Sequence, residues 1–155
     1  MHRLVAILLV AAGCASPART SDPSTVRADL LAADRAFAAD TYARGLDGWM
    51  DHHAPDAVRL AMGGTAADGS VVQGLDAVRA YDAGLFTDPT TRLVWTPTEG
   101  GAFADRSTGF TTGRSAMVRL RTDGAAPDTL FRGTYVTIWR RGVDGRWRVI
   151  LDTGA

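Results

Sequence analysis

The stretch Gly133–Ala155, GTYVTIWRRGVDGRWRVILDTGA, decides the fold. Two runs rich in β-branched and aromatic residues flank the turn Gly142-Val143-Asp144-Gly145, the pattern of a β-hairpin. Alternation puts Tyr135, Thr137 and Trp139 on one face of the first strand and Thr134, Val136, Ile138 and Arg140 on the other. On the second strand Trp147, Val149 and Leu151 oppose Arg148, Ile150 and Asp152. The aromatic face is expected to point inward, because bulky side chains fill a closed space and Trp95 and Met117 alternate compatibly on strands further upstream.

Working outward, the segments TRLVWTPT, GGAFAD, TGFTTGRSAMVRLR and LFRGTYVTIWRR read as further strands, separated by the turn-rich EGG and TDGAAPD. No crossover helix fits between them, so their pairing is expected to be antiparallel. Ahead of the strands lie helical patterns. Val26–Ala43 stacks Leu30, Ala33, Phe37 and Thr41 on one side, with Ser24 or Thr25 as its cap and Gly45 as its end. LDGWMDHHA reads as a short second helix with Leu46, Trp49, Met50 and His53 on one face, stopped by Pro55-Asp56. AVRLAM then alternates like a strand, GGTAADGS is turn chemistry and VVQG returns, a hairpin between Ala57 and Gln73. LDAVRAYDAGLF makes a third amphipathic helix through Leu75, Val78 and Leu85, with Asp76 in the first turn where the helix dipole favours an acid. Three helices followed by a run of strands give an α+β domain with the helices on one face of a curved antiparallel sheet.

Composition narrows the function. With 155 residues, 46% hydrophobic, the chain can bury one core, and neither an internal repeat nor a second domain is visible. The formal net charge is zero and no basic block occurs, which removes the electrostatic footprint of nucleic-acid binding. All 17 basic residues are Arg, which excludes Schiff-base chemistry on a lysine, and all the acids but Glu99 are Asp. The chain contains no G-x-S-x-G, H-E-x-x-H, P-loop or dinucleotide fingerprint, and no cofactor or metal is expected.

The first residues, MHRLVAILLVAAGCAS, join Arg3 to an apolar run too short to span a bilayer, as in an export signal over residues 1–13. Ala11-Ala12-Gly13-Cys14 resembles a bacterial lipoprotein box, which implies lipidation of Cys14, the only cysteine; ordinary signal cleavage is the alternative. Residues 14–25, rich in Pro, Ser and Thr, read as a flexible tether, leaving 26–155 as the domain. The expected location is the periplasm or a lipid-anchored surface. The outer membrane is favoured in a host that has one, since Ala15 stands where a retention aspartate would.

A helix, a short helix ending before Ala54-Pro55-Asp56-Ala57-Val58, a Gly-rich hairpin, V-x-G-x-D-A-V-R and the terminal G-T-Y-V-T-I-W-R-R…D-G-R-W-R-V-I-L-D-T-G together resemble the SnoaL-like members of the nuclear transport factor 2-like superfamily. The nearest resemblance is to their domain of unknown function 4440 branch. It implies a cone, with a strongly bent sheet wrapped against the first helix. Such cones serve as active sites, ligand pockets or dimerisation scaffolds, so the fold leaves function to the site. Ketosteroid isomerase, a member, would place its general base near Leu60, Ala61 or Met62, its second acid between Tyr135 and Thr137, and its tyrosine near Phe37 or Ala38; none of these positions carries the matching residue.

The candidate site residues follow from which side chains point into the cone. Asp34 shares the first helix's apolar face, and a carboxylate there needs a partner or serves as a proton carrier. His53 shares the second helix's apolar face, so the two can form an acid-base pair, while His52 is expected at solvent. Phe37, Trp49, Met62, Trp95, Met117, Tyr135, Thr137 and Trp139 are the expected ligand-lining residues. Asp152 pairs with Arg140 or Arg148 across the hairpin, or recognises a polar ligand group at the rim. Three functions fit: a pocket for a small apolar molecule, in a monomer or a homodimer formed through the open sheet face; a cofactor-independent isomerase, cyclase or dehydratase using Asp34 and His53; or a scaffold with a filled cone. Contact with a membrane is expected only through the lipid anchor.

Overall fold

A computed structural model describes residues 22–60 and 70–154. The chain runs α1 (Pro23–Arg44), α2 (Leu46–Met50), β1 (His53–Leu60), β2 (Val71–Gln73), α3 (Leu75–Asp82) with a following 3-10 turn (Ala83–Phe86), then β3 (Thr91–Ala102), β4 (Thr108–Arg119), β5 (Asp128–Arg141) and β6 (Trp147–Gly154). This is the expected α+β architecture. The signal segment, Cys14, Met62 and the turn between β1 and β2 lie outside the described residues.

The helix α1 starts earlier than its periodicity predicts. Pro23 occupies its first turn, where a missing N–H is harmless and a fixed φ suits the helix, so Ser24 and Thr25 lie inside it and neither the expected cap nor the tether extends to residue 25. Its buried stripe is Val26, Leu30, Asp34, Phe37 and Thr41, one side chain per turn, with Ala33 half-buried beside it. Gly45 ends α1 at φ 59°, a left-handed backbone that a side chain would strain, and returns its N–H to the Thr41 carbonyl at 2.8 Å. Three residues on, Gly48 lets α2 lie directly on α1, because a Cβ there would come within 2.0 Å of the Asp40 carbonyl oxygen. The second helix is shorter than expected. It stops at Met50, and His53 opens β1, so Pro55 and Asp56 are exposed residues of an irregular strand segment and not a helix stop.

The sheet order is β2-β1-β6-β5-β4-β3. Every neighbouring pair is antiparallel except β1 and β6, which run parallel with Arg59 opposite Asp152. The strands β3 to β6 pair antiparallel as expected, and the one departure from the antiparallel sheet, β1 with β6, has a topological reason. A parallel pair needs a long connection, and the whole body of the domain between the two strands supplies it in place of a single crossover helix.

Bulges bend the long strands. Thr98 in β3, Leu130 in β5 and Ile150 in β6 are each skipped by the neighbouring strand's register, and an extra residue of this kind kinks a strand and adds twist. The bent sheet closes against α1. There Val26, Leu30 and Phe37 meet Trp139 and Val149, with Trp49, Met50 and Val78 completing the core. The predicted inner face of β5 is the observed one: Tyr135, Thr137 and Trp139 are buried while Thr134, Val136 and Arg140 are exposed.

Candidate functional site

The cone is hollow. A cavity of about 320 Å³ opens between α1, α2, the 3-10 turn and the inner face of the sheet. Its apolar walls come from Phe37, Trp49 and Trp95, packed ring against ring with centroids 4.7, 4.8 and 5.7 Å apart, and from Leu93 on β3, Met117 on β4 and Leu85 on the 3-10 turn. Tyr135 and Thr137 of β5 form the far wall, and Phe131, about half-exposed, stands at its edge. Arg59 and Asp152 supply the charged groups in the lining.

Those two belong to a buried ladder. Arg59 donates from Nη1 to Asp152 Oδ2 at 2.6 Å and from Nε to Asp82 Oδ1 at 3.0 Å, with its guanidinium carbon 5.9 Å from the Trp49 ring centre. Trp49 Nε1 donates to the other Asp82 oxygen at 2.9 Å, and Thr137 Oγ1 donates to the other Asp152 oxygen at 2.8 Å. Each carboxylate oxygen is therefore satisfied, as burial demands. Desolvation raises the pKa of the Asp152 carboxyl above the usual aspartate range, against the lowering pull of Arg59 and the Thr137 hydroxyl.

Asp152 reaches the cavity through a bulge. Because Ile150 is skipped, Val149 pairs with Trp139 while Asp152 pairs with Thr137, and both point inward. Strict alternation would have put Asp152 on the face opposite Val149 and made it a rim residue. The expected pairing with Arg140 or Arg148 is also replaced: Arg140 bonds Asp56 at 2.5 and 3.0 Å, and Arg148 bonds Asp144 at 2.6 and 3.0 Å.

Asp34 is fully buried and accepts from Trp95 Nε1 and from the Tyr135 hydroxyl, both at 2.7 Å. It thereby sets the orientation of two cavity walls without lining the cavity itself. Burial and this bond to Asp34 hold the Tyr135 phenol protonated well beyond its ordinary range. His53 is committed elsewhere. Its Nδ1 lies 2.9 Å from the Trp49 carbonyl, its ring packs against Phe37 and Trp49, and its Nε2 is buried without a hydrogen-bond partner. Desolvation lowers its pKa to about 4, so at neutral pH the ring is uncharged and Nδ1–H is the donor to that carbonyl. The expected Asp34–His53 acid-base pair does not form: each residue is held by other partners, and the Phe37 ring contacts both His53 and the Trp95 that Asp34 holds. His52, expected at solvent, is largely covered, with Nε2 2.7 Å from Asp40 Oδ2 and its ring against Phe37.

Of the expected lining residues, Phe37, Trp49, Trp95, Met117, Tyr135, Thr137 and Asp152 lie on the cavity. Trp139 does not. It is fully buried, donating from Nε1 to Thr111 Oγ1 at 2.7 Å, and it serves the core. Sequence reasoning missed Arg59 and Asp82. Asp82 carried the same signal as Asp34, an acid in line with the apolar Leu75 and Val78 one and two turns earlier. Arg59 carried none, because Val58 and Leu60 made the opposite face of β1 look like the inner one.

No protein-family model matches the sequence, nor does any curated protein. Solved structures share the fold. ActVI-ORFA from Streptomyces coelicolor superposes with a TM-score of 0.67 at 14% identity, over 83% of this chain and 94% of that one. A ketosteroid isomerase-like protein from Erwinia carotovora atroseptica gives 0.62 at 12% identity, over 82% and 92% of the two chains. An NTF2-like protein with a cystatin-like fold from Novosphingobium aromaticivorans gives 0.61 at 13%, over 83% and 79%.

Proposed function

We propose that this NTF2-like cone is an exported small-molecule-binding domain of the SnoaL-like type, in the domain of unknown function 4440 branch, and that its aromatic-lined cavity holds a compact, largely apolar molecule. The cavity itself carries the reading. A space of about 320 Å³ walled by tryptophans and aliphatic side chains, with a few convergent polar groups at one end, is the usual make-up of a small-molecule site. A filled-cone scaffold has no need of it. Export rests on the signal-like residues 1–13 and anchoring on Cys14. Metabolic labelling of the full chain with a clickable fatty acid, lost in Cys14→Ser, tests the anchor.

Because Trp49 and Trp95 line the cavity, occupancy reports on intrinsic fluorescence. Titration of the full chain with 4-phenylbutan-1-ol is expected to change that emission saturably, and Ser115→Phe, which fills the cavity from the inner face of β4 opposite Trp95, to abolish the change. No response from the wild-type protein, together with a ligand-free mass after incubation in host metabolite extract, would remove the proposal. The second reading is a cofactor-independent acid-base enzyme. What favours it is Asp152, a buried carboxyl of raised pKa on the cavity wall, which takes the place of the Asp34–His53 pair.

A further inference from the structure

The polar end of the cavity is short of positive charge. Asp34, Asp82 and Asp152 are buried at 0, 0 and 4% exposure, while Arg59, at 7%, is the one buried guanidinium among the described residues. His53 adds no charge at neutral pH, its pKa standing at about 4. Asp82 takes Arg59 Nε and the Trp49 indole N–H, which makes Asp82 and Arg59 a neutral unit. Asp34 is closed off behind the wall by Trp95 and Tyr135. Asp152 remains. It shares an already paired guanidinium, and it alone of the three lines the cavity.

A carboxylate has about four lone-pair directions, and Arg59 and Thr137 occupy two at Asp152. A neutral apolar occupant would leave the rest facing hydrocarbon, and an anion would meet the excess negative field. A cation answers both. The remaining walls suit it as well, since the ring faces of Trp49, Trp95 and Phe37 attract positive charge in a desolvated space.

We propose that the cavity takes a compact hydrophobic amine, its protonated nitrogen against the Asp152 carboxylate and its hydrocarbon part among Phe37, Trp49 and Trp95. The inference rests on the small-molecule reading above and names its ligand class.

Three probes with one skeleton test it: 4-phenylbutylamine, 4-phenylbutan-1-ol and 4-phenylbutyrate, titrated calorimetrically into the full chain at pH 7. A charge-assisted hydrogen bond in a buried site sets the scale, so the amine is expected to bind at least about tenfold tighter than the alcohol, and the carboxylate most weakly. In Asp152→Asn the amine and the alcohol should fall within about threefold of each other. Asp152→Ser gives a second neutral replacement should the first fail to fold, and the wild-type ranking needs neither. An alcohol or carboxylate that binds the wild-type protein as well as the amine overturns the amine assignment and leaves the cavity reading standing. So does a folded Asp152 variant that keeps the amine preference. If no probe binds, the inference falls, and the small-molecule reading falls with it when the mass after incubation in host metabolite extract is also ligand-free.

Discussion

Two buried aspartates bond side chains on the same inner face of β5, Tyr135 and Thr137, and they are built differently. Asp34, on α1, is closed by two neutral donors, the Trp95 indole and the Tyr135 phenol, and has no access to the cavity. Asp152, on β6, is held by a guanidinium and a hydroxyl and lies on the cavity wall. Neutral donors fix a carboxylate in place and leave its charge in the protein. A shared guanidinium leaves the second carboxylate chemically available. The difference separates a residue that shapes the walls from one that can meet a ligand.

Removing the ladder's cation should give the largest effect. Arg59→Leu leaves Asp82 and Asp152 buried without their counter-charge, and urea unfolding is expected to show a loss of about 5 kcal/mol. Asp34→Ala strands two buried donors and should cost about 4 kcal/mol. An Asp34→Ala protein of wild-type stability would break the contrast at once. The acid limb comes next. Between pH 6.5 and about 4 the unfolded chain binds a proton at His53 and the folded chain does not, so stability falls as the pH drops through that window. His53→Phe should reduce the loss between pH 7 and pH 4 by about 3 kcal/mol. Asp152, whose folded pKa is raised, acts in the opposite sense: its charged form is disfavoured by folding, so acidification toward its unfolded pKa recovers stability there. Tyr135→Phe removes one donor from Asp34 and should cost about 2 kcal/mol. The smallest effect is expected from Asp152→Asn, which removes a desolvated charge while Asp82 keeps Arg59 paired, and the midpoint at pH 7 should move by about 1 kcal/mol or less. A large loss there would make Asp152 as structural as Asp34 and erase the comparison.

The sequence made the helices and the inner face of β5 readable, because burial on one side imposes periods that composition cannot hide. Asp34 was readable for the same reason, as a polar residue inside an apolar stripe. What failed to read needed the third dimension. The parallel pairing of β1 with β6 is a closure between segments at opposite ends of the domain, and no local pattern encodes it. Arg59 faces inward while Val58 and Leu60 do not, against the hydrophobic rule, because its charge is met by Asp82 and Asp152 from two distant elements. The expected pairing of Asp34 with His53 assumed that α2 would carry His53 along its face. The helix instead stops at Met50 and the next turn hands His53 to the sheet.

The bulge at Ile150 makes the inward carboxyl of Asp152 a matter of counting as well as of chemistry. Deleting that single aliphatic residue would restore strict alternation and leave Val149 opposite Trp139 and Asp152 opposite Thr137, both still on the inner face. Two relatives could thus differ by one residue in the length of this strand and yet hold the same acid in their cavities. What keeps the acid in the cavity is its register with Thr137, and the bulge is the place where the strand can gain or lose a residue without disturbing it.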